Sequence, residues 1–226
     1  PIPFCRKVRN STPSPMPLTL VAIADTHGLE QEIEVPAGDI LVHGGDITRH
    51  GELEDVRRFD DWLATLPHRH KIVIAGNHDF CFEREPERAR ALIRNGVYLQ
   101  DEATEVEGLL VYGSPWQPWF YDWAFNLERG EPLRQRWARI PDETHLLVTH
   151  GPPMGLCDQT VRGDHVGCED LLERVRAVRP LVHVFGHIHE AYGGTVEGQT
   201  AFVNASTCDL GYSPVNPPMV LEIDRR

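Results

Sequence analysis

The stretch Leu-Thr-Leu-Val-Ala-Ile-Ala-Asp-Thr-His, at residues 18–27, carries the pattern that decides the fold. A short apolar run with several β-branched side chains predicts a buried strand, and an aspartate and a histidine follow directly at its end. The same arrangement recurs four times along the chain, each time with polar, metal-binding residue types after an apolar run. We therefore expect these side chains to collect at one edge of a sheet.

Outside this stretch, short apolar runs alternate with amphipathic segments. This alternation predicts a layered α/β fold. Short glycine-rich connections after residue 181 leave open a second, more antiparallel sheet. The predicted strands are residues 18–24, 40–43, 71–75, 109–112, 145–149, 181–185, 201–204 and 219–223, and the predicted helices are residues 52–66, 87–95, 132–140 and 168–178.

The length of 226 residues fits one large domain. Residues 1–17 contain five prolines and predict a flexible leader, which leaves residues 18–226 as the folded domain. No apolar run approaches the roughly 18 residues of a membrane helix. Five scattered cysteines without a C-x-x-C motif predict reduced thiols and a cytoplasmic protein.

The charge balance restricts the partners. The chain has 22 Lys and Arg against 34 Asp and Glu, a net charge of −12. This charge argues against binding to nucleic acid or to a membrane surface, because both require a basic face. An anionic substrate fits only if bound metal ions reverse the local field.

The polar residues at the strand ends have the chemistry of a metal site. Ligands of open α/β sheets bind outside the carboxyl ends of the strands. Residues two apart in an extended chain point to the same side, so Asp25 with His27, and His187 with His189, can each offer two side chains to one cavity. The seven candidate metal ligands are Asp25, His27, Asp46, Asn77, His150, His187 and His189.

This donor set contains carboxylates, imidazoles and an amide but no thiolate, which suits manganese, iron or zinc. Seven ligands exceed what one catalytic metal with an open position uses, and they fit two metals that share a bridging carboxylate. A pair of metals is a common device for in-line displacement at phosphorus.

The motifs Asp-x-His, Gly-Gly-Asp, Gly-Asn-His-Asp, a single His and Gly-His-x-His follow one another between residues 25 and 189. In this order they resemble the signature of the calcineurin-like metallophosphoesterases. The stretch Gly-Ser-Pro-Trp-Gln-Pro-Trp-Phe-Tyr-Asp-Trp-Ala-Phe-Asn at 113–126 narrows the resemblance to the metallophosphoesterase-domain-containing proteins, which are similar to class III cyclic-nucleotide phosphodiesterases. The resemblance implies a four-layer αββα sandwich with its metals at the strand ends.

The resemblance also implies roles for single residues. His78 matches the family's catalytic histidine beside the leaving group, and Asp79 is expected to make a supporting turn contact. Two metal ions, divalent or trivalent, are implied. Their ligands would be Asp25, His27 and His189 for the first metal, Asn77, His150 and His187 for the second, and Asp46 for both.

The leading hypothesis is a phosphodiesterase that hydrolyses small phosphodiesters, with cyclic nucleotides as the family-based example, by in-line attack of a hydroxide that bridges the two metals. Arg49 stands where the related protein phosphatases carry an aspartate, which argues against protein phosphatase activity. The alternatives are a phosphomonoesterase or nucleotide pyrophosphohydrolase on the same metals, and a non-catalytic nucleotide-binding scaffold.

Several aromatic and histidine side chains remain open to two interpretations. His43 and His183 lie inside predicted strands and are expected to be core residues. The aromatic cluster of residues 116–125 either stacks on a nucleobase or forms core or a subunit interface, so a homodimer is left open. Its members are Trp116, Trp119, Phe120, Trp123 and Phe125.

Overall fold

A computed structural model describes residues 7–8 and 16–224. In this part of the chain two six-stranded sheets pack face to face, and helices cover the outer face of each sheet. Apart from residues 7–8 and 16–17, the predicted leader lies outside the described residues. No helix of the described part is long and apolar enough to cross a membrane.

The first sheet has the strand order β1-β14-β2-β3-β4-β5. Its strands from β2 to β5 run parallel, whereas β14 is antiparallel to β2 and β1 is parallel to β14. The strands are β1 (Lys7–Val8), β2 (Leu18–Ile23), β3 (Ile40–His43), β4 (His70–Val73), β5 (Val97–Tyr98) and β14 (Met219–Ile223).

The second sheet has the order β12-β13-β11-β10-β7-β6, with four parallel central strands and an antiparallel strand at each edge. Its strands are β6 (Glu102–Val106), β7 (Leu109–Ser114), β10 (Leu146–Thr149), β11 (Val182–Phe185), β12 (Gly193–Glu197) and β13 (Thr200–Asn204). A small parallel pair joins β8 (Gln117–Pro118) to β9 (Asn126–Leu127).

Five α-helices and two single-turn 3-10 helices, Glu30–Glu32 and His189–Ala191, complete the described part of the fold. The α-helices are α1 (Leu53–Thr65), α2 (Phe80–Arg84), α3 (Pro86–Arg90), α4 (Glu131–Trp137) and α5 (Glu169–Val178). In α1 the apolar residues Val56, Phe59 and Leu63 recur at helical spacing and are fully buried against the first sheet.

Three apolar cores separate the four layers. Alternate residues of β2 pack into two of these cores, because Leu20 faces the second sheet while Val21 faces α1. A strand that is buried on both faces has an almost continuous apolar sequence, so strands of this kind can be predicted from the sequence alone. The third core packs Trp137 of α4 and Leu171 of α5 against the second sheet. The predicted four-layer αββα sandwich is therefore confirmed.

Two local predictions were wrong. The helix predicted at residues 87–95 is the shorter helix α3 (Pro86–Arg90), because Pro86 favours a helix start and the chain leaves the helix at Ala91. The preceding helix α2 was not predicted. The second sheet does not begin near residue 181, although it is the more antiparallel of the two, with two antiparallel strand pairs against one in the first sheet. It begins at β6, and its central strands are parallel because the crossovers through α4 and α5 return the chain in the same direction.

The two sheets are joined at the edge where their parallel strands end. The main-chain N–H of Ala24, after β2, donates to Ala205 O at 2.9 Å, and Thr207 N–H donates to Ala24 O at 2.8 Å. These bonds connect the first sheet to the loop that follows β13. The carboxyl ends of strands from both sheets are thus brought to one place.

Candidate metal centre

The joined edge collects all eight side chains predicted from the strand-end motifs. Each follows a parallel strand, and six of the eight are buried while His187 and His189 are half-buried. Asp25 and His27 follow β2, Asp46 follows β3, Asn77 and His78 follow β4, His150 follows β10, and His187 and His189 follow β11.

One group of ligand atoms comes from Asp25, His27 and His189, whose atoms lie within 4.8 Å of one another. Nε2 of His27 is 3.3 Å from Nε2 of His189, and that second nitrogen is 3.7 Å from Oδ1 of Asp25. These three residues are the ones predicted for the first metal.

A second group surrounds Oδ1 of Asn77, which lies 2.8 Å from Nε2 of His150 and 2.7 Å from Nδ1 of His187. Oδ2 of Asp46 stands between the groups, 3.5 Å from Nε2 of His150 and 3.9 Å from Nε2 of His27. This position is the one a carboxylate shared by two metals requires.

The imidazoles of the donor set are oriented as metal ligands would be. His150 donates its Nδ1 proton to Gly44 O at 3.0 Å, and His189 donates its own to Asp209 O at 2.9 Å. A carbonyl oxygen only accepts, so in the neutral rings the Nε2 lone pairs point into the cluster. Ligand atoms that share one ion at about 2.0–2.2 Å lie roughly 3.0–3.5 Å apart, close to the spacings seen here.

The buried carboxylates and the histidines beside them balance one another's charges. Burial alone would raise the pKa of Asp25 and of Asp46, but His189 beside the first and His150 beside the second hold both pKa values well below their usual range. Burial opposes the charge on these two histidines, yet the carboxylates outweigh it and raise both histidine pKa values to about 9. A metal ion binds deprotonated ligands and would take over this balance.

Two further ligands are held neutral by desolvation. Burial lowers the pKa of His27 to about 4 and that of His187 to about 3, although Asp46 and Asp25 oppose the shift. A neutral imidazole offers a lone pair, which is the form a metal requires.

The backbone is strained at the ligands, a feature that the sequence did not reveal. Asp25, His27, Asp46 and His187 have φ values of 53°, 47°, 56° and 70°, in the left-handed region that non-glycine residues avoid. Such conformations persist where the surroundings enforce them, and they cluster at functional sites.

Two glycines make room for the carboxylates. A Cβ atom at Gly76 would collide with Oδ1 of Asp46, and a Cβ atom at Gly186 would collide with Oδ2 of Asp25. Any side chain at either position would displace a predicted ligand. The glycines that precede Asn77 and His187 in the motifs therefore have a steric reason.

His78 is fixed on several sides. Its Nδ1 donates to Arg49 O at 2.8 Å, its main-chain N–H donates to Oδ1 of Asp46 at 2.7 Å, and its ring centroid lies 4.2 Å from that of Trp123. Nε2 is thereby directed toward the cluster, 4.0 Å from Oδ2 of Asp46.

Asp79 makes the supporting contact expected of it. Its buried carboxylate accepts hydrogen bonds from the main-chain N–H groups of Gly76, Ile47 and Thr48 at 2.8, 3.1 and 2.8 Å, and from the Thr48 hydroxyl at 2.9 Å. Burial, together with the charge of Asp46, raises the pKa of Asp79 to about 6. One side chain thus joins the loop that carries Asp46 to the loop that carries Asn77.

Ser206 is a supporting residue that sequence reasoning missed. Its hydroxyl donates to Oδ2 of Asp25 at 2.6 Å, and His187 N–H donates to both oxygens of this carboxylate, at 3.0 Å to Oδ2 and 3.2 Å to Oδ1. Oδ1 also faces Nε2 of His189 at 3.7 Å. The available signal was the polar Asn-Ala-Ser sequence at the end of the strand at residues 200–204, which lies outside the five motifs of the predicted metal site.

The two strand histidines are core residues, as expected. Nε2 of His43 is hydrogen-bonded to Oγ1 of Thr26 at 3.0 Å, and Nε2 of His183 to Oγ1 of Thr149 at 2.8 Å. Each threonine is adjacent in sequence to a predicted ligand, so the buried imidazoles hold the ligand loops in place.

The aromatic cluster divides between core and cavity. Phe125 is buried and packs edge-on against the half-buried Trp116, which agrees with the core interpretation. Trp119, Phe120 and Trp123 line a cavity of about 500 Å³ that also contacts Asp46, Asn77, His78 and His187.

We predict that Asp79→Ala lowers the free energy of unfolding by at least about 3 kcal/mol, because three main-chain donors and a hydroxyl lose a buried anionic acceptor. Urea unfolding measures the change. Asp61→Ala removes the same atoms from an exposed position of α1 and serves as the matched control, with an expected change within about 0.5 kcal/mol. Equal losses in the two variants would contradict the linking role of Asp79.

Comparison with known proteins agrees with this geometry. The family model of the calcineurin-like phosphoesterases matches residues 18–191. Human metallophosphoesterase domain-containing protein 1 is 43% identical over 242 residues, which cover 96% of this chain and 74% of the human protein. Members of the matched family use a binuclear metal centre, and the Asp and His clusters described above could bind metal.

Solved structures extend the likeness at the level of the fold. One crystal structure matches with a TM-score of 0.63 at 18% identity and covers 84% of this chain and 90% of its own. The crystal structure of the Thermus thermophilus protein TT1561 matches with a TM-score of 0.54 at 14% identity, covering 83% and 88%. Sequence identities this low support a shared fold and nothing beyond it. Because the family model spans most of its length and a relative shares 43% of its residues, the chain belongs to the calcineurin-like phosphoesterases, a family of metal-dependent phosphoester hydrolases.

Proposed function

We propose that this protein is a dimetal phosphodiesterase that hydrolyses small phosphodiesters. The observation that carries the proposal is the position of Asp46 between two groups of ligand atoms, with His78 directed at the same point. Manganese, iron and zinc all suit the oxygen and nitrogen donors. Cyclic nucleotides are one candidate substrate.

The proposed ligands keep the roles predicted from the motifs. Two bound metal ions would activate the attacking water and neutralise charge on the phosphoryl oxygens. Asp25, His27 and His189 would hold the first ion, Asn77, His150 and His187 the second, and Asp46 both.

His78 is proposed to serve the leaving group. Because its Nδ1 donates to Arg49 O, Nε2 is the ring atom available to hold or give a proton in the cavity. Its main-chain bond to Asp46 and the Trp123 ring against its face keep Nε2 in one direction. A preorganised imidazole of this kind can protonate the leaving oxygen as the ester bond breaks.

The cavity has room for the second organic group of a diester. Its volume of about 500 Å³ falls in the range of roughly 300–1,000 Å³ that holds drug-sized ligands. A monoester carries one more negative charge on its phosphoryl group than a diester. Arg49 is not placed to bind that charge, because its guanidinium lies 5.0 Å from the centre of the Tyr212 ring and Arg49 does not line the cavity. A phosphomonoesterase is the second candidate, since the same ligands would serve it.

The remaining expectations stay predictions. They are a small-molecule phosphoester partner, no nucleic-acid or membrane partner, a homodimer left open, and a cytoplasmic location.

The direct test is hydrolysis of bis(p-nitrophenyl) phosphate by protein stripped with chelator and reloaded with manganese. We expect turnover that returns with the metal and falls to background in Asp46→Ala, because that variant lacks the shared ligand. The rate should exceed that on p-nitrophenyl phosphate. A preference for the monoester would favour the phosphomonoesterase, and no turnover of either with bound nucleotide returned unchanged would favour the scaffold.

Replacing His78 tests its role separately from metal binding. We predict that His78→Ala lowers kcat by roughly 10²–10⁴-fold, because proton transfer to the leaving group is lost. Metal content measured by mass spectrometry should stay at the wild-type value. His50→Ala, at an exposed position of the loop that carries Asp46, is the control and should keep the wild-type rate. An unchanged rate in His78→Ala, or loss of the metals, would contradict this role.

A further inference from the structure

The cavity beside the proposed metal centre has an apolar wall that the reaction itself does not use. Within the described part of the chain, Trp119, Phe120 and Leu210 are 59%, 51% and 56% exposed. Exposed large apolar side chains that converge on one concave site mark a binding surface rather than ordinary surface composition. All three line the cavity that contacts Asp46, Asn77 and His187.

The wall is built by loops from different parts of the fold. Trp119 and Phe120 lie between β8 and β9, Val166 lies on the loop that follows β10, and Leu210 follows β13. Such an arrangement surrounds a ligand from several sides. Because Phe120 approaches His187 with a ring-centroid distance of 6.2 Å, the apolar wall begins directly beside a proposed metal ligand.

The loops are held by specific hydrogen bonds. Trp119 N–H donates to Leu127 O at 2.8 Å, and the Asn126 side chain donates to Tyr121 O at 2.7 Å. Arg129 donates to Gly167 O at 2.7 Å and to Val166 O at 2.8 Å. A wall held in this way loses little conformational entropy when a ligand binds.

The charges around the wall favour an uncharged occupant. Among the described residues that line the cavity, Arg129 is the sole lysine or arginine, and its guanidinium is already bonded to two carbonyl oxygens and paired with Glu169. Apart from the proposed metal ligands and Arg129, the cavity is lined within the described chain by one more charged side chain, Glu190, which accepts a hydrogen bond from Val161 N–H at 3.1 Å. A second anionic group of a substrate would find no free cation here.

We propose that Trp119, Phe120 and Leu210 form a subsite for an apolar, preferably aromatic, organic group attached to the substrate phosphorus. The inference rests on the proposed function, because the phosphoryl group is taken to lie at the metal centre. It adds the chemical class of the substrate, a phosphoester with at least one flat apolar group. Flat groups are favoured because Trp119 and Phe120 offer ring surfaces on which they can stack.

The test compares two ligands that differ in this group alone. Phenylphosphonate and methylphosphonate carry the same phosphoryl charge, and isothermal titration calorimetry on the manganese-loaded protein gives their dissociation constants. We expect the wild type to bind phenylphosphonate at least about tenfold more tightly, the order of one stacking contact. Trp119→Ala should remove most of this preference, Leu210→Ala part of it, and Trp119→Phe little.

Val215→Ala is the matched control, because Val215 is an exposed apolar side chain of the same loop as Leu210 and does not line the cavity. It should keep the wild-type preference. Circular dichroism and urea unfolding confirm that each variant is folded, which is expected for side chains this exposed. Equal binding of the two phosphonates by the wild type, or an unchanged preference in Trp119→Ala, would overturn the subsite.

Turnover separates this inference from the function on which it rests. Bis(p-nitrophenyl) phosphate and methyl p-nitrophenyl phosphate have the same leaving group and differ in the group that stays on phosphorus. If both diesters are hydrolysed but phenylphosphonate is not preferred over methylphosphonate, the proposed subsite is wrong and the proposed phosphodiesterase activity stands. If phenylphosphonate is preferred but neither diester is hydrolysed, the proposed subsite stands and the proposed phosphodiesterase activity is wrong.

Discussion

The closure between the two sheets at Ala24 is the constraint on which the rest of the site depends. Two hydrogen bonds between this residue and the loop after β13, one donated by Ala24 and one accepted by it, hold the ends of parallel strands from both sheets together. Without this closure the ligands after β2, β3 and β4 would be separated from those after β10 and β11. The fold thus brings together side chains that lie more than 160 positions apart, such as His27 and His189.

Bringing these groups together has a cost. Two carboxylates and several imidazoles are buried in one volume, and four predicted ligands adopt left-handed backbone conformations. The structure offsets this with hydrogen bonds around the ligands, from Ser206 to Asp25 and from the loop N–H groups to Asp79. Local strain held by a surrounding network is characteristic of sites built for chemistry rather than for stability.

Much of this arrangement follows from the sequence. Strands such as β2 and β11 are almost continuous apolar runs, each interrupted by one polar residue, because both of their faces are buried. Their positions and the polar residues at their ends could therefore be predicted from the sequence. The short strands β5 and β8 gave no comparable signal, since two residues carry no periodicity. The break between α2 and α3 depends on Pro86 and on packing that local propensity does not encode.

The candidate ligands of the site could be named from the sequence, but the residues that surround them could not. The ligand motifs are local, because each lies within a few residues of a strand end. The orientation of His150 by Gly44 O and that of Asp25 by Ser206 depend on residues distant in sequence, and so does the apolar wall of Trp119 and Leu210. These contacts arise from the folded chain and need the structure to be seen.

The central claim is that this edge holds two metal ions with Asp46 shared between them. Anomalous diffraction from crystals grown with manganese tests it most directly. We expect two peaks, one coordinated by Asp25, His27 and His189 and one by Asn77, His150 and His187, each at about 2.0–2.2 Å from an oxygen of Asp46. A single peak, or two peaks of which Asp46 contacts one alone, would contradict it.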